Sequence, residues 1–168
     1  TSAEQLHSSE DQIIDALLVA AMTGVLIAKR APVSGALGGC QSEIGVASAM
    51  AAAGLVQLAG GTPLQCCEAM ALALKNILGL ICDPVAGPVE IPCIKRNAIG
   101  VGNAYVAADM ALAGIRSVIP PDEVVDALIN TQQLLPRELR GTLIGGLAST
   151  KTARQLKDVW YKRMEEMG

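Results

Sequence analysis

Apolar residues recur at positions 13, 14, 17, 18, 21, 22 and 25, the spacing of one helix face. Ser9-Glu10-Asp11-Gln12 stands directly before them and fits a capping box, so a helix is predicted from there to about Ala28. Lys29 and Arg30 then fall at its negative dipole end. The most apolar run is Ile44 to Gly61, built from Ala and Gly rather than Leu and Phe. Its ~16 useful residues would span ~24 Å, short of a ~30 Å hydrocarbon layer, so a buried core helix is expected there. Thr62-Pro63-Leu64-Gln65 opens the next helix, with Thr as cap, Pro in the first turn and Gln at the third position. That helix is expected to reach Leu78 and stop at Gly79. Further helices are predicted over Ile94 to Gly114, from Pro120-Pro121-Asp122 to Leu134, and over Thr150 to Met167 with Trp160 and Tyr161. Pro136 begins another helical turn, which Gly141, Gly145 and Gly146 interrupt. Nothing reads as a strand. The pattern predicts an all-α fold, a compact bundle of about six to seven Ala- and Gly-rich helices forming one domain over residues 1–168, with residues 1–8 loose.

Composition sharpens this. Hydrophobic residues make up 51% of the chain, aromatics only 2%, and Phe is absent. Small side chains let helix backbones approach closely, so tight packing is expected. A net charge of −3 and a pI near 5.1 argue against a nucleic-acid footprint, which needs a basic patch. No basic-plus-apolar leader is visible, so a cytoplasmic, non-membrane protein is expected.

The stretch Leu78 to Asn97, LGLICDPVAGPVEIPCIKRN, breaks the helical pattern. Pro84, Pro88 and Pro92 lack backbone N–H groups and push their predecessors out of helical geometry, so Cys82 and Cys93 are predicted on a shaped loop. Cys40 follows the Gly- and Pro-rich segment APVSGALGG and precedes the Ala-rich helix. A helix N-terminus would depress its thiol pKa, although a small apolar residue in a turn fits the same pattern. Cys40 and Cys82 are 42 residues apart, Cys82 and Cys93 only 11. These spacings match neither the close pairs of zinc sites nor the tight runs of ferredoxins. Packing and metal binding both stay open. Three thiolates on a four-iron cluster would leave one iron free for Lewis-acid chemistry. Cys66 and Cys67 point about 100° apart on a helix and are expected to pack. Gly100-Val101-Gly102 lacks the preceding strand and third glycine of a dinucleotide site. His7, the single histidine, lies in the polar N-terminal segment and is expected to be solvent-facing.

The strings GGCQSEIGVASAMAAAGL, LGLICDPVAGPVEIPCIKRNAIG, ADMALAGI and GGLAST, in that order, resemble the iron–sulfur-dependent L-serine dehydratases, in the C-terminal part of their alpha region. The resemblance implies a helical domain holding a [4Fe–4S] cluster on Cys40, Cys82 and Cys93, with no ligand role for Cys66 or Cys67. It implies a lyase of amino-acid degradation and gluconeogenesis that eliminates water from L-serine, the open iron polarising the substrate hydroxyl. It points away from pyridoxal phosphate, whose lysine Schiff base only Lys75 could offer from a core helix. Arg96 could meet the substrate carboxylate or the cluster's charge, or form a structural ion pair with Asp83 or Glu43. Glu43 and Asn97 are further substrate-binding candidates, with helix-dipole and capping roles as alternatives. Asp83 reads as a cap.

The family also carries a beta region with a Ser-Ser-His-Thr motif whose histidine is thought to be the base, and Thr-Ala-Pro-Thr-x-Gly-type serine-binding segments. Neither occurs here. Some relatives place a cysteine at the extreme C-terminus near the cluster; with Glu165-Glu166-Met167-Gly168 as the last residues read, that contact is not expected here. A beta domain or subunit is therefore the expected partner, a homodimer a further candidate assembly, and activity of this chain alone is not expected. Two alternatives remain. One is a related cysteine desulfidase-type domain, the other a helical interaction domain without metal.

Overall fold

A computed structural model describes residues 1–87 and 90–167, which leaves Pro88 of the predicted loop outside the described residues. Helices α1 (Ser2–Gln5), α2 (Glu10–Ala28), α3 (Gly35–Gly38), α4 (Val46–Leu58), α5 (Pro63–Lys75), α6 (Lys95–Leu112), α7 (Pro121–Leu134) and α8 (Lys151–Met167) follow one another, and no strand forms among the described residues. The fold is all-α. Single π-helical turns, Gln41–Gly45 and Glu90–Ile94, lead into α4 and α6. Short 3-10 turns cover Arg137–Leu139 and Gly146–Ser149.

The helix starts obey local chemistry. Ser9 accepts from the Gln12 amide while the Gln12 side chain accepts from the Ser9 amide, and Thr62 and Gln65 repeat the exchange at α5. Thr1 and Glu4 form a third such box at α1, so a short helix stands where the sequence reads as loose. His7 follows it, exposed, with positive φ. Helix α5 ends at Lys75 rather than Leu78, and the chain then turns at Gly79 in the left-handed region (φ 87°).

Helix α4 is the centre of the bundle and packs against α2, α5 and α6. Its Ala49, Ala52, Ala53 and Val56 are buried, as are Leu74 of α5 and Leu128 of α7. Small residues set the spacing. A Cβ on Gly54 would lie 3.0 Å from the Ala16 carbonyl oxygen, so α2 and α4 meet almost backbone to backbone. Gly100 plays a similar part between α6 and the turn before α4, where a Cβ would come within 2.8 Å of Ile44. The Ser48 hydroxyl donates to the Gly100 carbonyl at 2.8 Å and accepts from Asn103. Buried polar ties close the far end. Glu68 accepts from the Ser117 amide, and the Lys75 ammonium donates to the Ser117 carbonyl at 2.7 Å.

The close α2–α4 approach decides which face of α2 is buried. The large apolar residues of α2 do not face the core. Ile14, Leu17, Leu18, Met22 and Val25 are exposed, while Ala16, Thr23 and Ile27 are buried. Large side chains would hold the two backbones apart, so the small-residue face wins the contact. Among the described residues, α2 rather than the run around α4 is the helix long and apolar enough to cross a membrane, by length and composition only. Cys66 packs in the core as expected, whereas Cys67 is exposed.

Candidate metal centre

Three segments deliver one thiol each. Gly39, with φ 81° and ψ 175°, swings the chain out of α3 and presents Cys40 at the start of the first π-helical turn. Gln41 then fastens that turn to the segment after α5. Its amide donates to the Leu80 carbonyl at 2.9 Å, its Oε1 accepts from the Gly79 amide, and its Nε2 donates to the Gly38 carbonyl. Gln132 of α7 holds the same turn through the Ser42 hydroxyl at 2.7 Å.

Cys82 sits on the extended stretch so fastened. Its amide donates to the Leu139 carbonyl at 2.8 Å and its carbonyl accepts from the Gly141 amide at 2.6 Å, a short parallel bridge to the segment after α7. The Arg140 guanidinium folds back and caps the Leu135 carbonyl. Beyond Cys82 the loop doubles on itself, with the Val85 amide donating to the Ile91 carbonyl. Cys93 lies in the π-helical turn that enters α6, where Asn97 donates to its carbonyl at 3.2 Å.

The three sulfurs converge. The Sγ atoms of Cys40, Cys82 and Cys93 all lie within 4.8 Å of one another. Cys40 is 1% exposed, Cys82 is buried and Cys93 half-buried. Glycines line the approach. A Cβ on Gly35 would stand 3.2 Å from the Cys82 sulfur and 2.7 Å from the Glu43 carboxylate, and one on Gly141 would stand 3.4 Å from the same sulfur. The backbone comes up to the thiols without side chains between. An all-thiol donor set in a glycine-walled pocket fits a soft metal centre, and three thiols so placed can hold metal.

Arg96 is the cation of the site. Its Nη1 pairs with Asp83 Oδ1 at 2.6 Å and donates to the Ile81 carbonyl at 2.9 Å, and the guanidinium lies beside the Cys40 sulfur. The second Asp83 oxygen accepts from the Leu147 amide at 2.8 Å, so the aspartate caps the Gly146–Ser149 turn as well as pairing with Arg96. Glu43 is exposed at the pocket edge, and Asn97 is exposed one turn beyond Cys93.

Electrostatics corrects one sequence expectation. The Cys40 thiol is not acidified. Burial, together with the neighbouring Cys82, pushes it up to about 11 against the partial opposition of Arg96. Cys40 itself is in helical geometry and 1% exposed, so desolvation outweighs any helix-end effect. Burial also raises the thiols of Cys82 and Cys93. Without metal all three are therefore neutral at pH 7. Two consequences are measurable on metal-free protein. Alkylation at pH 8 should label exposed Cys67 well before Cys40. An unfolded thiol ionises near 9 while folded Cys40 waits until about 11, so folding stability should fall as pH rises between those values. Urea unfolding at pH 8 and pH 10.5 checks the sign.

The residues that the sequence singles out are thus brought together at Cys40, Cys82, Cys93 and Arg96, with Glu43 at the rim. Less legible were the couplings through Gln41, Gly141 and the Leu147 amide. The clustering of glycines before Cys40 was their only sequence trace.

Fold and pocket together define a helical domain whose distinguishing feature is a cage of three thiols. Residues 1–148 match the family model described as serine dehydratase alpha chain, and the chain belongs to that family. It is 57% identical over 154 residues to the probable L-serine dehydratase, alpha chain, of Bacillus subtilis (strain 168), covering 92% of this chain and 51% of the relative. It is 45% identical over 161 residues to the L-serine dehydratase, alpha chain, of Peptoniphilus asaccharolyticus, covering 96% and 55%. The L-serine dehydratase of Mycobacterium tuberculosis (strain CDC 1551 / Oshkosh) is 48% identical over 141 residues, or 83% and 30%. The chain spans about half the length of the first and second of these relatives.

Proposed function

We propose that this chain is the cluster-binding domain of an L-serine dehydratase, with Cys40, Cys82 and Cys93 as ligands of a [4Fe–4S] cluster. The observation that carries the reading is the convergence of these three sulfurs within 4.8 Å, from three separate segments, in a chain of the serine dehydratase alpha family. In the reaction L-serine loses its α-proton and its β-hydroxyl as water, and the enamine product hydrolyses to pyruvate and ammonia. When bound, a cluster with three thiolate ligands supplies a Lewis acid to the departing hydroxyl oxygen, a contribution of several kcal/mol.

The chain's own residues hold and shape that site. The three thiols lose their protons as they become ligands. Glycines 35 and 141 keep side chains off the Cys82 sulfur, leaving room against it. Exposed Glu43 and Asn97 are the candidates to meet substrate, whereas Arg96, committed to Asp83, faces the charge of the centre. In this reading the α-proton acceptor lies outside this chain, in a beta domain or subunit; the one histidine here, His7, is exposed on the N-terminal segment. The chain alone should not turn over serine.

The test is anaerobic. Iron and sulfide bound per chain are measured after reconstitution, with an absorption band near ~400 nm as the expected sign of thiolate-ligated iron. Turnover of L-serine and L-cysteine by the enzyme completed with its beta region is then compared. Four iron and four sulfide per chain with a preference for L-serine is the expected result. Failure to take up iron and sulfide overturns the cluster, and a preference for L-cysteine overturns the substrate.

A further inference from the structure

Asp83 and Arg96 are the most deeply placed ion pair beside the thiols, with 2% and 16% of their side chains exposed. A buried carboxylate persists only where its charge is paired and its lone pairs are used. Asp83 meets both conditions, with one oxygen on Arg96 and the other on the Leu147 amide. Its surroundings are shaped to it, since a Cβ on Gly146 would fall 2.5 Å from Asp83 Oδ2. Arg96 is fixed at a second point by the Ile81 carbonyl, on the residue before Cys82. The guanidinium therefore cannot swing outward without breaking both ties. Held there, it lies against the Cys40 sulfur.

We propose that Asp83 is a positioning residue of the metal centre, acting through Arg96: it clamps the guanidinium against the three thiolate ligands and docks the Gly146–Ser149 turn onto the cysteine loop. This rests on the reading of Cys40, Cys82 and Cys93 as metal ligands. Bringing three anionic sulfurs into a space 4.8 Å across concentrates negative charge. A fixed cation at that spot offsets it, and one anchored by a carboxylate requires no rearrangement when metal enters. Partners of ligands commonly set metal affinity by 10- to 100-fold, roughly. With Nη1 committed to both Asp83 and Ile81, Arg96 has only Nε and Nη2 left for any other acceptor.

The test is a double-mutant cycle on the full-length enzyme, reduced and kept anaerobic, with Co2+ as the probe and thiolate-to-cobalt absorption as the readout. Asp83→Asn and Arg96→Gln should each weaken Co2+ binding by about 10- to 100-fold. Because one acts through the other, the double variant should bind no more weakly than Arg96→Gln alone. A role in folding alone would lower the unfolding midpoint and leave Co2+ affinity unchanged. If Asp83→Asn does not fold, the pair Arg96→Gln and Arg96→Lys decides: lysine should recover part of the affinity through its charge, and equal losses overturn the clamp. Losses that multiply in the double variant, or wild-type affinity in both single variants, also overturn it. Wild-type protein that loads iron and sulfide while the variants match its Co2+ affinity sinks this inference alone. Wild-type protein that takes up neither Co2+ nor iron sinks the proposed function, and this inference with it.

Discussion

Serine in place of Cys40, Cys82 or Cys93, one at a time, is expected to abolish iron and sulfide uptake and with it serine dehydration by the completed enzyme. Cys66→Ser and Cys67→Ser should leave both intact. The asymmetry follows from position. Cys66 lies in the bundle core and Cys67 faces solvent on α5, while the other three sulfurs share one pocket. A serine hydroxyl is a hard, weakly acidic oxygen and a poor substitute for thiolate on iron. With three protein ligands available, losing one leaves two, and a cluster held at two corners is readily lost. The fold should survive, because the exchange is nearly isosteric and the metal-free thiols are neutral. An unfolding midpoint close to wild type, together with iron at background, is the expected pair of results. Equal iron in wild type and all three variants would remove the metal reading entirely. Retention in Cys93→Ser alone would move the third ligand elsewhere.

Much of this was visible in the chain because its signals are local. The capping boxes at Ser9 and Thr62 involve residues three apart, so sequence specifies them fully, and both form. The proline pattern of the cysteine loop is equally local: Cys82 lies outside any helix, but Cys93, also expected on the loop, stands in the π-helical turn that enters α6. Two matters depend on what comes near from a distance, and there local reasoning failed. The pKa of Cys40 was read from its neighbours in sequence, whereas it is buried among Leu80, Cys82 and Cys93 from other segments. The apolar stripe of α2 was a true helical period, but periodicity does not say which face another helix will prefer. Gly54 and Ala16 allow a closer contact than leucines could, and the larger residues are left outward. The Asp83–Leu147 bond spans 64 residues and has no local signature.

Gly39→Ala should damage both stability and metal loading, although it adds only a methyl group. At φ 81° and ψ 175° Gly39 occupies a region that is essentially closed to other residues, and forcing alanine into it costs about 1–3 kcal/mol. Sterics add to that. The new Cβ would lie 2.7 Å from Leu135 Cδ2 and 2.8 Å from the Leu80 carbonyl oxygen. The leucine side chain can rotate away. The carbonyl cannot, because it accepts from the Gln41 amide, the bond that joins the Cys40 turn to the segment carrying Cys82. Relief requires those two segments to part, and two of the three sulfurs part with them. The expected outcome is a loss of roughly 3 kcal/mol in denaturant unfolding and a fall in iron retention larger than that loss of stability would cause by itself. Gly60→Ala is the control. Gly60 also has positive φ (77°), but nothing lies within 4 Å of its would-be Cβ. That variant should lose about 1 kcal/mol and retain wild-type iron. Should Gly39→Ala load iron as well as Gly60→Ala does, the geometry around Cys40 is not what gathers the thiols.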